Sequence, residues 1–161
     1  MVLGLSIGSL VVAVLAASFA GAQVVRMRQA WQAQNALEVA RDLDSEEQRE
    51  ARRALYGLKA AQVPYIKWKI SDKETADRVL QRLNTAAYLA DKRLLPPGML
   101  EENWSGVYRN VYRAAEDRIA ERDVLGATHL WRSFRVLAMS LIAELGEPDP
   151  FFRESEEDTN R

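Results

Sequence analysis

The chain has 161 residues, enough for one domain of ordinary size. It has no cysteine and a single histidine, His129, which excludes a disulfide framework, a thiol nucleophile, a thiolate metal site and any site built on two imidazoles. The charge is segmental: residues 1–25 carry none, and residues 147–161 hold six acids and two bases, so a chain total of −1 leaves +3 on residues 1–146.

The run from Val2 to Val25 is uncharged and mostly apolar. As a helix, 25 residues reach roughly 37 Å, sufficient to cross a hydrocarbon layer with some tilt. Residues 1–25 are therefore expected to be a transmembrane anchor. Arg26 and Arg28 follow it, which places the C-terminal side in the cytoplasm and the N-terminus outside. A cleaved secretory signal is the competing reading, supported by Ala20-Gly21-Ala22 and weakened by the lack of a base before the apolar run.

Gly and Pro are absent between Gln23 and Tyr56, so the anchor is expected to continue as one rod to about Leu43, with Trp31 taken as a packing residue. Read at alternating steps of four and three, the rod carries one stripe: Val2, Ser6, Ser9, Ala13, Ala16, Ala20, Gln23, Met27, Ala30, Gln34 and Leu37. That is coiled-coil spacing, and small residues let helix backbones approach closely in lipid. Ser9, Ala13, Ala16, Ala20 and Gln23 are the candidate self-association residues, against the alternative that frequent alanine makes such a stripe by chance.

Ser45 with Gln48 predicts a helix start, and the second helix is expected to reach about Leu58. The segment VPYIKWKI alternates like a strand but has no partner strand, so an irregular connector with a short helical turn is expected. Ser71 with Glu74 suggests a second capping box, and Ala76, Val79, Leu80, Leu83 and Ala87 follow the helical template. Leu95-Pro96-Pro97-Gly98 predicts a helical hairpin, with a return helix from Leu100 past Ile119 to about Gly126 and Leu80 and Leu83 packed on Val107 and Val111. Asn84 falls on the outer side in this register. Thr128 is the expected cap of the last helix and Gly146 its C-terminal stop. The acidic tail, 147–161, is expected to be mobile.

The strings ARRALYGL, LQRLNTAAYLADKRLLPPGMLEENWSGVYRNVY and LWRSFRVLA resemble an uncharacterised bacterial family of short single-span membrane proteins with a cytoplasmic helical domain. The resemblance covers nearly the whole chain outside the tail. It implies an all-α fold at a bacterial inner membrane and carries no activity.

Arg52, Arg53 and Tyr56 on one helix, and Tyr112 and Arg113 on another, are candidate partner-binding residues. A solvated, internally paired helix face also accounts for the first set, through Glu46–Arg49 and Glu50–Arg53 spacing, and is the favoured reading. Trp104, Tyr108 and Tyr112 recur every four residues beside Arg109 and Arg113, but flanking acids oppose a nucleic-acid groove, and core packing is preferred. Arg113–Asp117 and Lys73–Asp77 are expected i, i+4 pairs, and Asp72, Glu74 and Asp77 are read as capping and pairing residues rather than an acid–base site. His129 has no companion ligands of suitable spacing.

The sequence thus predicts an all-α chain: a transmembrane helix (1–25), a small up-down bundle (26–146) and the acidic tail. The expected role is a membrane-anchored interaction module that binds a protein partner or itself at the cytoplasmic face. The alternative is an oligomerising membrane effector of the phage-exclusion or growth-arrest kind. No enzyme, cofactor, metal, nucleic acid or small-molecule substrate is expected.

Overall fold

The computed structural model describes residues 2–146; within the first helix, side chains are described at position 12 and from position 16 onward. The tail reading therefore lies outside the described residues. Among those residues there are six α-helices, one short 3-10 turn and no strand.

Helix α1, Val2–Leu43, is unbroken, as the absence of Gly and Pro after Gln23 predicts. Among the described residues no helix is long and apolar enough to cross a membrane. Most of the stretch expected to do so, 1–25, falls on side chains outside that description.

Helix α2, Glu46–Ala60, starts where Ser45 Oγ accepts from the Gln48 backbone N–H at 3.4 Å. The connector expected to be irregular forms a 3-10 turn at Tyr65–Lys67, closed by Trp68 N–H on Tyr65 O at 3.0 Å. Helix α3, Ile70–Asp91, begins two residues earlier than the Ser71–Glu74 box allows. The Asp72 carboxylate accepts from the Lys69 N–H at 2.8 Å, so Asp72 takes the role expected of Glu74.

The Pro96-Pro97 turn reverses the chain as expected. It ends on Gly98, whose φ of +77° opens α4, Met99–Ala114, in a backbone region that a side chain at this site would strain. The return helix is not continuous. It breaks at Ala115, where φ/ψ of −100°/7° leave the helical region, and α5, Glu116–Val124, sets off with acids in its first turn. Thr128 does not cap the last helix either. The chain turns through residues 128–131, and α6, Arg132–Leu145, starts after a buried Trp131 at φ +53°. Its cap comes from across the fold: Asn84 Oδ1 accepts from the Phe134 N–H at 3.2 Å. Asn84 is thus half-buried and bonded rather than an idle outer residue. Gly146 ends α6 as predicted, at φ +80°.

Helices α3, α4 and α6 pack together, α2 covers α3 and α4, and the last part of α1 lies on α2 and α3. Leu80, Leu83, Val111 and Phe134 are almost fully buried in one core, with Val107 at its edge, which matches the register proposed for the hairpin. Tyr108 is buried too. Its hydroxyl donates to Leu83 O at 2.8 Å, and its ring stacks on Phe134 at 5.6 Å, so the tyrosine expected to pack in the core is a central joint of it. Burial pushes its ionisation far above the usual phenol range.

Two contacts fix the direction of α1 against α3. Asn35 Nδ2 donates to Leu94 O at 3.1 Å, and Asp42 pairs with Arg82 at 3.3 Å. Residue numbers rise on one helix as they fall on the other, so the two are antiparallel, and the Pro-Pro turn lies at the end of the bundle nearest the uncharged part of α1.

Candidate functional site

The sequence-predicted residues fall into two groups with different fates. The first is the stripe on α1. Helix α1 meets the bundle through Gln32, Asn35, Ala36, Val39, Ala40 and Leu43, all buried or half-buried. At about 100° per residue, Met27, Ala30, Gln34 and Leu37 lie on the opposite side. All four are exposed, Met27 at 65% and Leu37 at 74%. Ala16, Ala20 and Gln23 are exposed and continue the same stripe, whereas Ser9 and Ala13 lie outside the described side chains. The bundle therefore uses one face of α1 and leaves the other uncovered. Trp31, expected to pack, is 66% exposed and sits beside the stripe.

The second group is dispersed. Arg52 is buried, and its Nη1 donates to Leu43 O at 2.7 Å, so its charge caps the C-terminal end of α1 instead of facing a partner. Arg53 is exposed and pairs with Glu46 at 3.4 Å, two turns back on the same helix. Tyr56 is half-buried against the core. Tyr112 leans on Phe134 at 6.3 Å, and Arg113 pairs with Glu116 at 3.7 Å.

Sequence reading missed a polar cluster that joins α3, α5 and the 3-10 turn. Arg118 is buried and grips Asp77 with two bonds, Nε to Oδ1 at 2.7 Å and Nη2 to Oδ2 at 2.6 Å. Arg122 adds a third bond to Asp77 at 2.9 Å. Glu121 accepts from Lys73 at 2.9 Å and also from Tyr65 Oη and Arg118 Nη1. Lys73 lies over the Tyr65 ring, 4.4 Å from its centre. The expected Lys73–Asp77 pair is thus exchanged for two pairs across helices. The signal available in the sequence was the triplet Arg118, Glu121, Arg122, three and four apart on one face of a very polar helix.

Electrostatics follow from this geometry. The Tyr65 hydroxyl and the Lys73 ammonium hold Glu121 down at about 2. Burial works against the charge on Asp77, but Arg118 and Arg122 outweigh it and keep its carboxyl below the usual range. Lys73 is raised by its bond to Glu121, and Tyr65 is raised by burial and then by Glu121. Acid–base work wants two carboxyls in unlike environments. Here both are pushed the same way, so the cluster acts as an ionic clasp between helices. Among the described residues no group of three or more His, Asp and Glu could hold a metal ion.

No protein family, curated protein or solved structure matches this chain.

Proposed function

We propose that the protein is a membrane-anchored helical interaction module, held at the cytoplasmic face of a bacterial inner membrane, and that it pairs with a second copy of itself through α1. The observation that carries the reading is the division of labour along this helix. Its first 25 residues are free of charge, its last third is docked on the bundle by one face, and the opposite face is bare wherever side chains are described. In the charge-free part, Val12, Phe19, Val24 and Val25 are exposed and point to more than one side of the helix. Apolar side chains on several sides call for a surrounding apolar medium rather than one protein groove. Beyond Arg28 the stripe of Ala30, Gln34 and Leu37 stays uncovered opposite the docked face, with Trp31, Glu38 and Arg41 exposed beside it, as a parallel partner helix would require.

Single cysteines test the pairing cleanly, because the chain has none of its own. Gln34→Cys lies on the bare stripe and Ala33→Cys is an exposed position about a quarter-turn away. In native membranes, mild oxidation should give a disulfide-linked dimer from Gln34→Cys and little from Ala33→Cys. Equal crosslinking at the two positions, or none at either, overturns self-association through this stripe.

A further inference from the structure

At the end of the bundle nearest the uncharged part of α1, two cavities meet. A groove of about 1100 Å³ runs between the Pro-Pro turn and α6. A smaller apolar pocket of about 440 Å³ lies between the same turn and α1 and is lined by Val24, Met27, Trp31 and Leu94. Arg28, Gln32, Lys92 and Arg93 line both. The junction is therefore a cationic neck with an apolar slot on one side.

Three observations set this neck apart. Arg28 and Arg93 are exposed and make no ion pair or side-chain hydrogen bond among the described residues, in contrast to the Arg53, Arg78, Arg82 and Arg135 pairs elsewhere in the bundle. Lys92 pairs with Asp91 at 3.0 Å, and Asp91 and Glu101 also line the groove. Arg93 is held at φ +57° at the end of α3. Its own N–H bonds Ala90 O and the next N–H bonds Leu89 O, both at 2.9 Å, a closing motif that normally takes glycine. A long cation here is conformationally costly.

Height along α1 identifies the ligand. Gln32 Nε2 donates to Arg93 O at 2.9 Å, which ties the turn to this level of the helix. Arg28 is three residues beyond Val25 and Gln32 seven, about 4 and 10 Å along the axis. With the span ending near Val25, Arg28 enters the headgroup layer, and Lys92 and Arg93 reach into it from just below.

We propose that this neck binds an anionic phospholipid. Its phosphate sits among Arg28, Lys92 and Arg93, and an acyl chain leaves toward the bilayer past Met27 and Val24. The proposal rests on the membrane-anchor reading above. It does not depend on self-association. A soluble phosphate ester shares the headgroup chemistry but has no use for the apolar slot.

The test uses the full chain in nanodiscs of phosphatidylcholine with a minor fraction of phosphatidylglycerol. After detergent exchange, the lipids that stay with the protein are counted by mass spectrometry. The native chain should hold phosphatidylglycerol at about fivefold or more over its bulk share, given what each cation contributes near an anionic surface. The double variant Arg28→Gln/Arg93→Gln should fall to the bulk ratio. Arg26→Gln, at the same height but turned away from both cavities, should keep the native enrichment. No enrichment in the native chain, or an equal loss with Arg26→Gln, overturns the site. Excess glycerol phosphate should leave the enrichment unchanged, and full displacement by it overturns the lipid in favour of a soluble anion. Flotation with pure phosphatidylcholine vesicles separates the two readings. A chain that floats but shows no enrichment keeps its anchor and loses this site, and a chain that does not float loses both.

Discussion

Three helices end with the same pair of reverse hydrogen bonds and a residue at positive φ, and the three residues are Gln62, Arg93 and Gly126. Only the last is the glycine that makes this conformation cheap. Replacing Gln62 or Arg93 by glycine should remove a penalty of about 1 kcal/mol and raise the unfolding midpoint of the full chain in detergent. The two variants should differ in lipid retention: Gln62→Gly leaves phosphatidylglycerol enrichment intact, and Arg93→Gly lowers it while stabilising the fold. A destabilising Arg93→Gly would show that the arginine holds the turn rather than a ligand. Sequence reading placed the end of the return helix at about Gly126, two residues past Val124, because glycine announces the turn. It put the end of α2 at about Leu58, two residues short of Ala60, since Gln62 gives no local sign that the chain must turn left-handed there.

At the level of elements, the ionic clasp decides where α5 goes. A continuous α4–α5 helix would carry Arg118 away from Asp77; the break at Ala115 lets α5 lie against α3 and the 3-10 turn. Removing Asp77 leaves the buried guanidinium of Arg118 without its two-bond partner. Asp77→Ala should therefore cost about 3 kcal/mol, the lower end for a buried pair because Asp77 retains some solvent contact. Arg78→Ala, whose pair with Glu47 is exposed, should cost under about 1 kcal/mol. The pH dependence has a definite sign. Both carboxyls of the clasp are depressed in the folded chain, so their contribution is complete above the ordinary carboxyl range. It is lost as the pH falls, for Glu121 between 4.5 and about 2. Lys73 is shifted upward, so its share is present below 10.5 and lost only above it. A thermal-melting series should show a plateau through neutral pH and a decline below about pH 4.5 that Asp77→Ala flattens. A native chain with no decline above pH 2 would remove the clasp from the stability of the fold. The pairs that form this clasp, Arg118–Asp77 and Lys73–Glu121, are 41 and 48 residues apart in sequence. Local i, i+4 rules favoured Lys73–Asp77 because they see only one helix at a time.

On the scale of the whole molecule, α1 is about 63 Å of continuous helix, and the antiparallel lie of α3 points the Pro-Pro turn back toward its uncharged end. Under the proposed anchorage, the bundle follows the orientation of α1. Orientation then has one simple consequence. Gln81 is exposed on α3, and Gln81→Cys in an otherwise cysteine-free chain should resist an impermeant maleimide in intact cells and react after lysis. Labelling without lysis overturns the cytoplasmic placement, and a mature chain that starts near Gln23 shows signal cleavage instead of anchorage.

The amino-acid sequence by itself determined the all-helical class, the unbroken α1, the hairpin at Pro96-Pro97-Gly98 and the buried faces of α3 and α4. Each of these rests on periodicity, on missing breakers or on turn chemistry within a few residues. Only the tertiary structure decided which polar groups are spent holding the fold and which stay available. Arg52 went to a helix cap, Asn84 to the start of α6, Asp77 to two arginines, and Arg28 and Arg93 to an open neck. Those outcomes depend on desolvation and on partners brought together by packing from distant parts of the chain, and no local pattern encodes either.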